Sequence, residues 1–235
     1  MALQVAEQIS EFLLTGAVTN SLNSPSISAE DAPKLRPYIG LAERLGAFAG
    51  QMVDDGFKAV EIVYEGDLAQ VNVKPLTSAA LAGAMRPMLS EVNVVSAPAI
   101  AKARGITVTE ARQELSPTYD SLMRMKITYE GGEVDLAGTV IGGVPRIVQI
   151  KGMDLDAPFC SDMLYVNNLD RPGFIGRLGS LFGDAAINIS TFYLGRMSSG
   201  EDAIALVGVD QPPADALLTR VKALPYVKEV RFLRF

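Results

Sequence analysis

From residue 163 onward the apolar positions change period in a definite order. Met163-Leu164-Tyr165-Val166 is an unbroken apolar run of strand length. Phe174, Ile175, Leu178, Leu181 and Phe182 then recur three and four apart, which draws one stripe along a helix. Ala185 to Ser190 turns into a second strand that continues through Thr191-Phe192-Tyr193-Leu194, and Ala203 to Val209 is another apolar run. Pro213 to Leu224 reads as a helix and Tyr226 to Phe232 as a last strand. This β-α-β-β-α-β order is the split-βαβ, ferredoxin-like plan. Between its first strand and first helix lies Asn167 to Gly173, where Asp170 is the expected N-cap and Pro172 sits at or beside the first helical position. A strand running into a capped helix leaves backbone N–H groups directed out of the helix start, which suits a carboxylate. An acidic Asp170 beside them suits an ammonium, so a small zwitterion satisfies both.

Upstream the pattern is different. Ala2 to Thr15 is a helix with Leu3, Val5, Ala6, Ile9, Phe12 and Leu13 apolar, stopped by Gly16 and followed by a polar turn region from Thr19 to Ser28. Residues 32–53 and 76–89 read as helices on either side of a strand at 59–64, and a short helix over 97–104 ends at Gly105. Ile106-Thr107-Val108 starts an extended stretch. Alternating runs at 123–129, 133–141 and 146–151 follow, separated by Gly131-Gly132 and Gly142-Gly143. Helices early and hairpins late give an α+β unit. The expected fold class is therefore α/β in the broad sense: an α+β domain followed by a ferredoxin-like βαββαβ domain.

Composition removes whole classes of function. With 235 residues, 49% hydrophobic and 20% charged, the chain has room for two folded domains. A net charge of −6 with no basic stripe argues against nucleic acid. The absence of an eighteen-residue apolar run argues against a membrane span. The N-terminal residues do not read as a signal peptide, and a single Cys160 fits a reducing, cytoplasmic setting. There are no histidines. That removes the commonest general acid–base group, every Ser-His or Cys-His pairing and most catalytic zinc sites. No Gly-x-Gly-x-x-Gly or Walker-type loop occurs, and Gly173, Gly176, Gly179 and Gly183 have the wrong spacing; they are expected to permit close helix–sheet packing. The expectation is that this chain holds no catalytic residue, no metal and no cofactor of its own.

Leu169-Asp170-Arg171-Pro172-Gly173 followed by Ile187-Asn188-Ile189 resembles the ACT domain, the amino-acid-sensing module of biosynthetic enzymes. The nearest likeness is the C-terminal ACT domain of the D-3-phosphoglycerate dehydrogenase family, which binds L-serine. This resemblance implies ligand roles for Asp170 (ammonium or hydroxyl), Asn188 (amide contacts reaching across from the second strand) and the N–H groups of Gly173, Phe174 and Ile175 (carboxylate). Asn168 stands where relatives carry His or Tyr and is able to hydrogen-bond a serine hydroxyl. Residues 29–160 resemble the intervening, allosteric-substrate-binding domain of the long form of that family. Its basic strand resembles Pro145 to Gly152 here, which implies Arg146 and Lys151 as an anion site; the alternative is two solvated charges guarding a strand edge.

Leu3 to Ile9 and Gly16 to Asn20 resemble the end of the family's substrate-binding domain. The resemblance thus divides the chain into 1–28 (end of the substrate-binding domain and linker), 29–160 (intervening domain) and 161–235 (ACT domain). It implies a regulatory C-terminal piece of an NAD-dependent oxidoreductase of serine biosynthesis. Its partners would be L-serine or another small amino acid, the upstream catalytic domains and a further copy joined through the ACT sheet edge. NAD would belong to the parent enzyme and not to this chain. Three alternatives stay open: the dehydrogenase itself, a free-standing regulatory protein, and an oligomerisation module that has lost its ligand.

Overall fold

The computed structural model describes residues 2–15, 27, 30–198 and 200–235, so the Gly16 stop and, Ile27 apart, the polar turn over 19–28 lie outside the described residues. The chain divides into two compact units, Met1–Arg146 and Ile147–Phe235.

The first unit contains helices α1 (Ala2–Thr15), α2 (Ala32–Gln51), α3 (Lys74–Met85) and α4 (Ala97–Ala103), with strands β1 (Ala59–Gly66), β2 (Thr107–Gln113), β3 (Ser121–Tyr129) and β4 (Gly132–Ile141). β1 pairs parallel with β2 (Val60 opposite Val108) and antiparallel with β3 (Ile62 opposite Met125). β4 extends the sheet beyond β3, with Leu136 opposite Met125. α3 begins two residues before the expected position because Pro75 sits in its first turn, where no N–H is needed.

α2 and α3 pack backbone against backbone. A Cβ at Gly46 would lie 2.1 Å from the Ala80 carbonyl oxygen, one at Gly50 2.1 Å from that of Ala84, and one at Gly83 2.1 Å from that of Glu43. Leu41, Leu45 and Phe48 of α2 are fully buried. A Cβ at Gly138 in β4 would meet Leu41 and Leu45, so α2 lies directly on the sheet.

The division between units falls within β5 (Val144–Ile150). The run from Arg146 to Lys151, expected as one strand, ends at Ile150. Lys151 (φ 49°) and Gly152 (φ 75°) form a two-residue turn into a strand the sequence pattern did not announce, β6 (Met153–Pro158).

The second unit has β7 (Asp162–Leu169), α5 (Phe174–Asp184), β8 (Ile189–Arg196), β9 (Asp202–Val209), α6 (Asp215–Lys222) and β10 (Val227–Arg234), in the expected βαββαβ order. The strand order is β10-β7-β9-β8, with every neighbouring pair antiparallel. Side chains alternate across the sheet. Leu164 and Val166 of β7 and Ala205, Val207 and Val209 of β9 join Phe174, Leu178 and Phe182 of α5 and Leu217 and Val221 of α6 in one core. The opposite face is covered in part by β6: a Cβ at Gly195 would lie 2.9 Å from the Asp154 carbonyl oxygen.

Two expectations about α5 change. Phe174, Leu178 and Phe182 are buried, but Ile175 is 54% exposed. A Cβ at Gly176, Gly179 or Gly183 would meet nothing within 4 Å, so these glycines do not permit close packing; the close helix contact belongs to Gly46, Gly50 and Gly83.

Candidate functional site

The β7–α5 turn is built from short-range constraints. The Leu169 N–H donates to the Tyr226 carbonyl at 3.0 Å and the Asp170 N–H to the Glu201 carbonyl at 2.7 Å, which tie the end of β7 to its neighbours. Gly173 then takes a left-handed conformation (φ 89°, ψ −4°) that reverses the chain into α5. Gly173, not Asp170, is therefore the N-cap. Asp170 makes no capping bond because its carboxylate is taken by Arg196, whose Nη1 donates to Oδ2 at 2.8 Å.

A cavity of about 300 Å³ opens over this turn, lined by residues 168, 170–176, 194 and 196. It brings together Asn168, Asp170, Gly173, Phe174 and Ile175, all expected at the site, and adds Arg171, Leu194 and Arg196, which were not. Asn168 is 1% exposed, and its Oδ1 has no hydrogen-bond partner among the described residues. Its Nδ2 donates to the Leu169 carbonyl at 2.7 Å. A buried acceptor left without a donor costs about 1–3 kcal/mol, which a ligand bearing an N–H or O–H would recover. The Phe174 N–H is already aimed at the Arg171 carbonyl at 3.5 Å. The N–H groups of Ile175 and Gly176 have no intrahelical carbonyl to reach. An ammonium or hydroxyl toward Asn168 and Asp170, and a carboxylate toward the start of α5, match this arrangement.

Substitution at the turn tests it. Gly173→Ala would place a Cβ 2.7 Å from Arg177 Nη1 in a conformation that penalises any side chain. The expected loss is about 1–2 kcal/mol, read as a lower urea midpoint for the second unit.

Asn188 is not part of this cavity. It lies at the opposite end of β8, where its Nδ2 donates to Asp210 Oδ2 at 2.7 Å. Arg196 is eight positions further along, roughly 25 Å at the usual rise. It cannot reach across to the turn of its own chain. The two residues expected to hold an anion lie in β5 and in the turn that follows it. Arg146 is half-buried in β5 and has interactions of its own. Lys151 faces Glu229 at 3.5 Å and lies over the Tyr165 ring at 5.8 Å.

The first unit has a larger open cleft of about 730 Å³ between α3, α4 and β2, lined by Lys74, Thr77, Ser78, Ser96 and Glu110 and by apolar Val95, Pro98 and Ala99. Thr77 exchanges a 2.8 Å hydrogen bond with the buried Tyr64 hydroxyl and donates to Glu110. Burial pushes the Tyr64 hydroxyl well above its ordinary value, so it stays protonated and serves as a fixed hydrogen-bonding post. Cys160 is half-buried, 3.5 Å from Thr191 Oγ1. Among the described residues no group of three or more His, Cys, Asp or Glu could hold a metal, and no helix is long and apolar enough to cross a membrane.

Comparison with known proteins matches two families in succession along the chain. The D-3-phosphoglycerate dehydrogenase intervening domain matches residues 34–151, and the ACT domain matches residues 163–226. The chain is 34% identical to a D-3-phosphoglycerate dehydrogenase of Synechocystis, over 97% of its own length and 42% of the relative's. It is 31% identical to that of Methanocaldococcus jannaschii (96% and 43%) and 30% identical to that of Bacillus subtilis (99% and 45%). It thus spans less than half the length of the curated relatives it matches. With an intervening domain over half its length and an ACT domain after it, the chain belongs to the D-3-phosphoglycerate dehydrogenase family.

Proposed function

We propose that this chain is a regulatory region of a D-3-phosphoglycerate dehydrogenase of serine biosynthesis, sensing L-serine or another small amino acid through its ACT domain. The observation that carries the reading is the buried Oδ1 of Asn168, without a partner among the described residues, in one cavity with Asp170 and the start of α5. Residues 29–160 serve as the intervening domain, 161–235 as the ACT domain, and 1–28 connect to catalytic domains of the same enzyme. Its setting is cytoplasmic.

Hydride transfer between NAD and 3-phosphoglycerate belongs to the parent enzyme. The sequence has neither a histidine nor a Gly-x-Gly-x-x-Gly turn, so its residues do not fit a dinucleotide. What this unit does is convert ligand binding into a preference between subunit arrangements. β8 is one of the two outer strands of the β10-β7-β9-β8 sheet, and the one that carries Arg196. Two-fold antiparallel pairing of two β8 edges about Phe192 would set position 188 of one copy opposite position 196 of the other. That gives the Asn188 carboxamide a route to the cavity that its own chain denies it. Analytical ultracentrifugation at micromolar concentration should show a dimer or larger; a monomer with and without serine would count against this assembly.

The direct test is thermal unfolding with L-serine, D-serine, glycine and phosphate in turn. A ligand at a hundred times its Kd adds about 2.7 kcal/mol, which for a chain of this length raises Tm by roughly 5–10 °C. A rise with L-serine that disappears in Asp170→Ala supports the reading. No rise with any amino acid sinks it.

A further inference from the structure

We propose that Arg196 binds the carboxylate of the ligand and that, with Asp170, it restricts the site to free α-amino acids. This rests on the amino-acid reading above and assigns to it a residue outside the turn.

Register brings Arg196 to the cavity. Asn168 of β7 is opposite Ala203 of β9, and Ala203 is opposite Arg196 of β8, so the three residues form one row across the sheet. Directly opposed residues share a face. The row therefore lies on the helix side, where Leu164, Val166, Ala205 and Val207 are buried against α5. Ala203 is fully buried and contributes only a methyl group to the middle of the row. Over it the Arg196 side chain crosses from the edge strand and puts Nη1 2.8 Å from Asp170 Oδ2.

Neither member of this pair is saturated. A guanidinium carries five N–H donors and a carboxylate two oxygens with about four acceptor positions. The pair leaves Asp170 Oδ1 and the remaining guanidinium N–H groups for the cavity, with Asp170 and Arg196 side chains 22% and 55% exposed. An α-amino acid has the complementary outline, an ammonium and a carboxylate one carbon apart. Set beside the pair, its ammonium meets Asp170 and the Asn168 oxygen, and its carboxylate meets Arg196 and the start of α5. Charges then alternate around the four groups. A guanidinium can hold a carboxylate through two parallel bonds, which fixes orientation as well as charge.

The other two arginines near the turn are placed differently. Arg177 Nη2 lies 3.5 Å from the Pro172 carbonyl, and its Nε is buried without a partner among the described residues, beneath the turn. Arg171 also lines the cavity, but its guanidinium lies toward Gly200, where a Cβ would be 3.6 Å from its Nη1.

Isothermal titration of the chain with L-serine, ethanolamine and L-lactate, and with L-alanine and glycine as further amino acids, tests the assignment, using wild type, Arg196→Gln and Arg196→Lys. Expected are binding of L-serine but of neither ethanolamine nor L-lactate by wild type, a 10- to 100-fold weaker Kd for L-serine in Arg196→Gln, and an intermediate one in Arg196→Lys, whose ammonium keeps the charge but not the fork. Circular dichroism confirms that each variant is folded. L-serine binding to folded Arg196→Gln with the wild-type Kd overturns the role of Arg196 and leaves the amino-acid reading standing. Ethanolamine or L-lactate binding as tightly as L-serine overturns the selectivity for the zwitterion. Failure of wild type to bind L-serine, L-alanine or glycine overturns both.

Discussion

Gly83→Ala is expected to destabilise the first unit by about 3 kcal/mol, at the upper end of the usual cost of overpacking. The new methyl would sit 2.1 Å from the Glu43 carbonyl oxygen and 3.0 Å from its carbon, and both atoms are backbone. A side chain in the way can change rotamer, but a helix carbonyl moves only if the helix does. Separating α2 from α3 would also open the matching contacts of Gly46 with Ala80 and of Gly50 with Ala84. Gly40 supplies the control. It lies in the same helix α2, and a Cβ there meets nothing within 4 Å. Gly40→Ala should stabilise by roughly 0.5–1 kcal/mol, because alanine loses less backbone entropy in a helix. One substitution type in one helix pair thus has two signs. Urea unfolding followed by far-UV circular dichroism, with transitions fitted separately, reads both. Equal midpoints for the two variants would refute the backbone contact.

Those glycines also mark where the sequence was hardest to read. The helices and strands on both sides of them were legible from period: α2, β1, β3, β4 and the whole βαββαβ order follow the apolar spacing. A glycine carries no such signal, since its missing side chain does not reveal what faces it. Gly176, Gly179 and Gly183 stand in a strongly patterned helix and invite a packing role, yet they face open space; Gly46, Gly50 and Gly83 do the packing. β6 was missed for a different reason. Met153-Asp154-Leu155-Asp156-Ala157 alternates as a strand should, but the turn before it places a lysine, not a glycine, at its first left-handed position.

At the site the same distinction holds between near and far neighbours. Asn168, Asp170, Gly173, Phe174 and Ile175 are close in sequence, so a local pattern was enough to group them. Arg196 reaches Asp170 from 26 residues away, and only the strand register and the small Ala203 bring it there. Once it does, Asp170 is no longer a helix cap, so the local propensity that singled it out and its place in the cavity have different physical causes. Asn188 is the reverse case: close in the linear pattern of the resemblance, but at the wrong end of β8 within one chain.

Phe182→Ala is the other large expected effect and separates the core of the ACT domain from its cavity. Phe182 is fully buried, eight residues along α5 from Phe174, in the core that holds Leu178, Val207, Leu217 and Val221. Phenylalanine-to-alanine changes in such cores cost about 3–5 kcal/mol, through lost burial and the void left behind. That is a large part of what a domain of this size has in reserve. Phe174 is also buried, but it lines the cavity at the start of the same helix. The two substitutions should therefore differ in kind. Phe182→Ala should lower the unfolding midpoint of the second unit and, at temperatures where that unit remains folded, bind L-serine with nearly the wild-type Kd. Phe174→Ala should lower the midpoint and weaken binding together, because the wall behind the α5 N–H groups goes with the ring. Calorimetric titration at 10 °C, paired with thermal unfolding, measures both quantities on the same samples. If Phe182→Ala abolished binding while the unit stayed folded, the cavity would depend on the whole core and not on the turn.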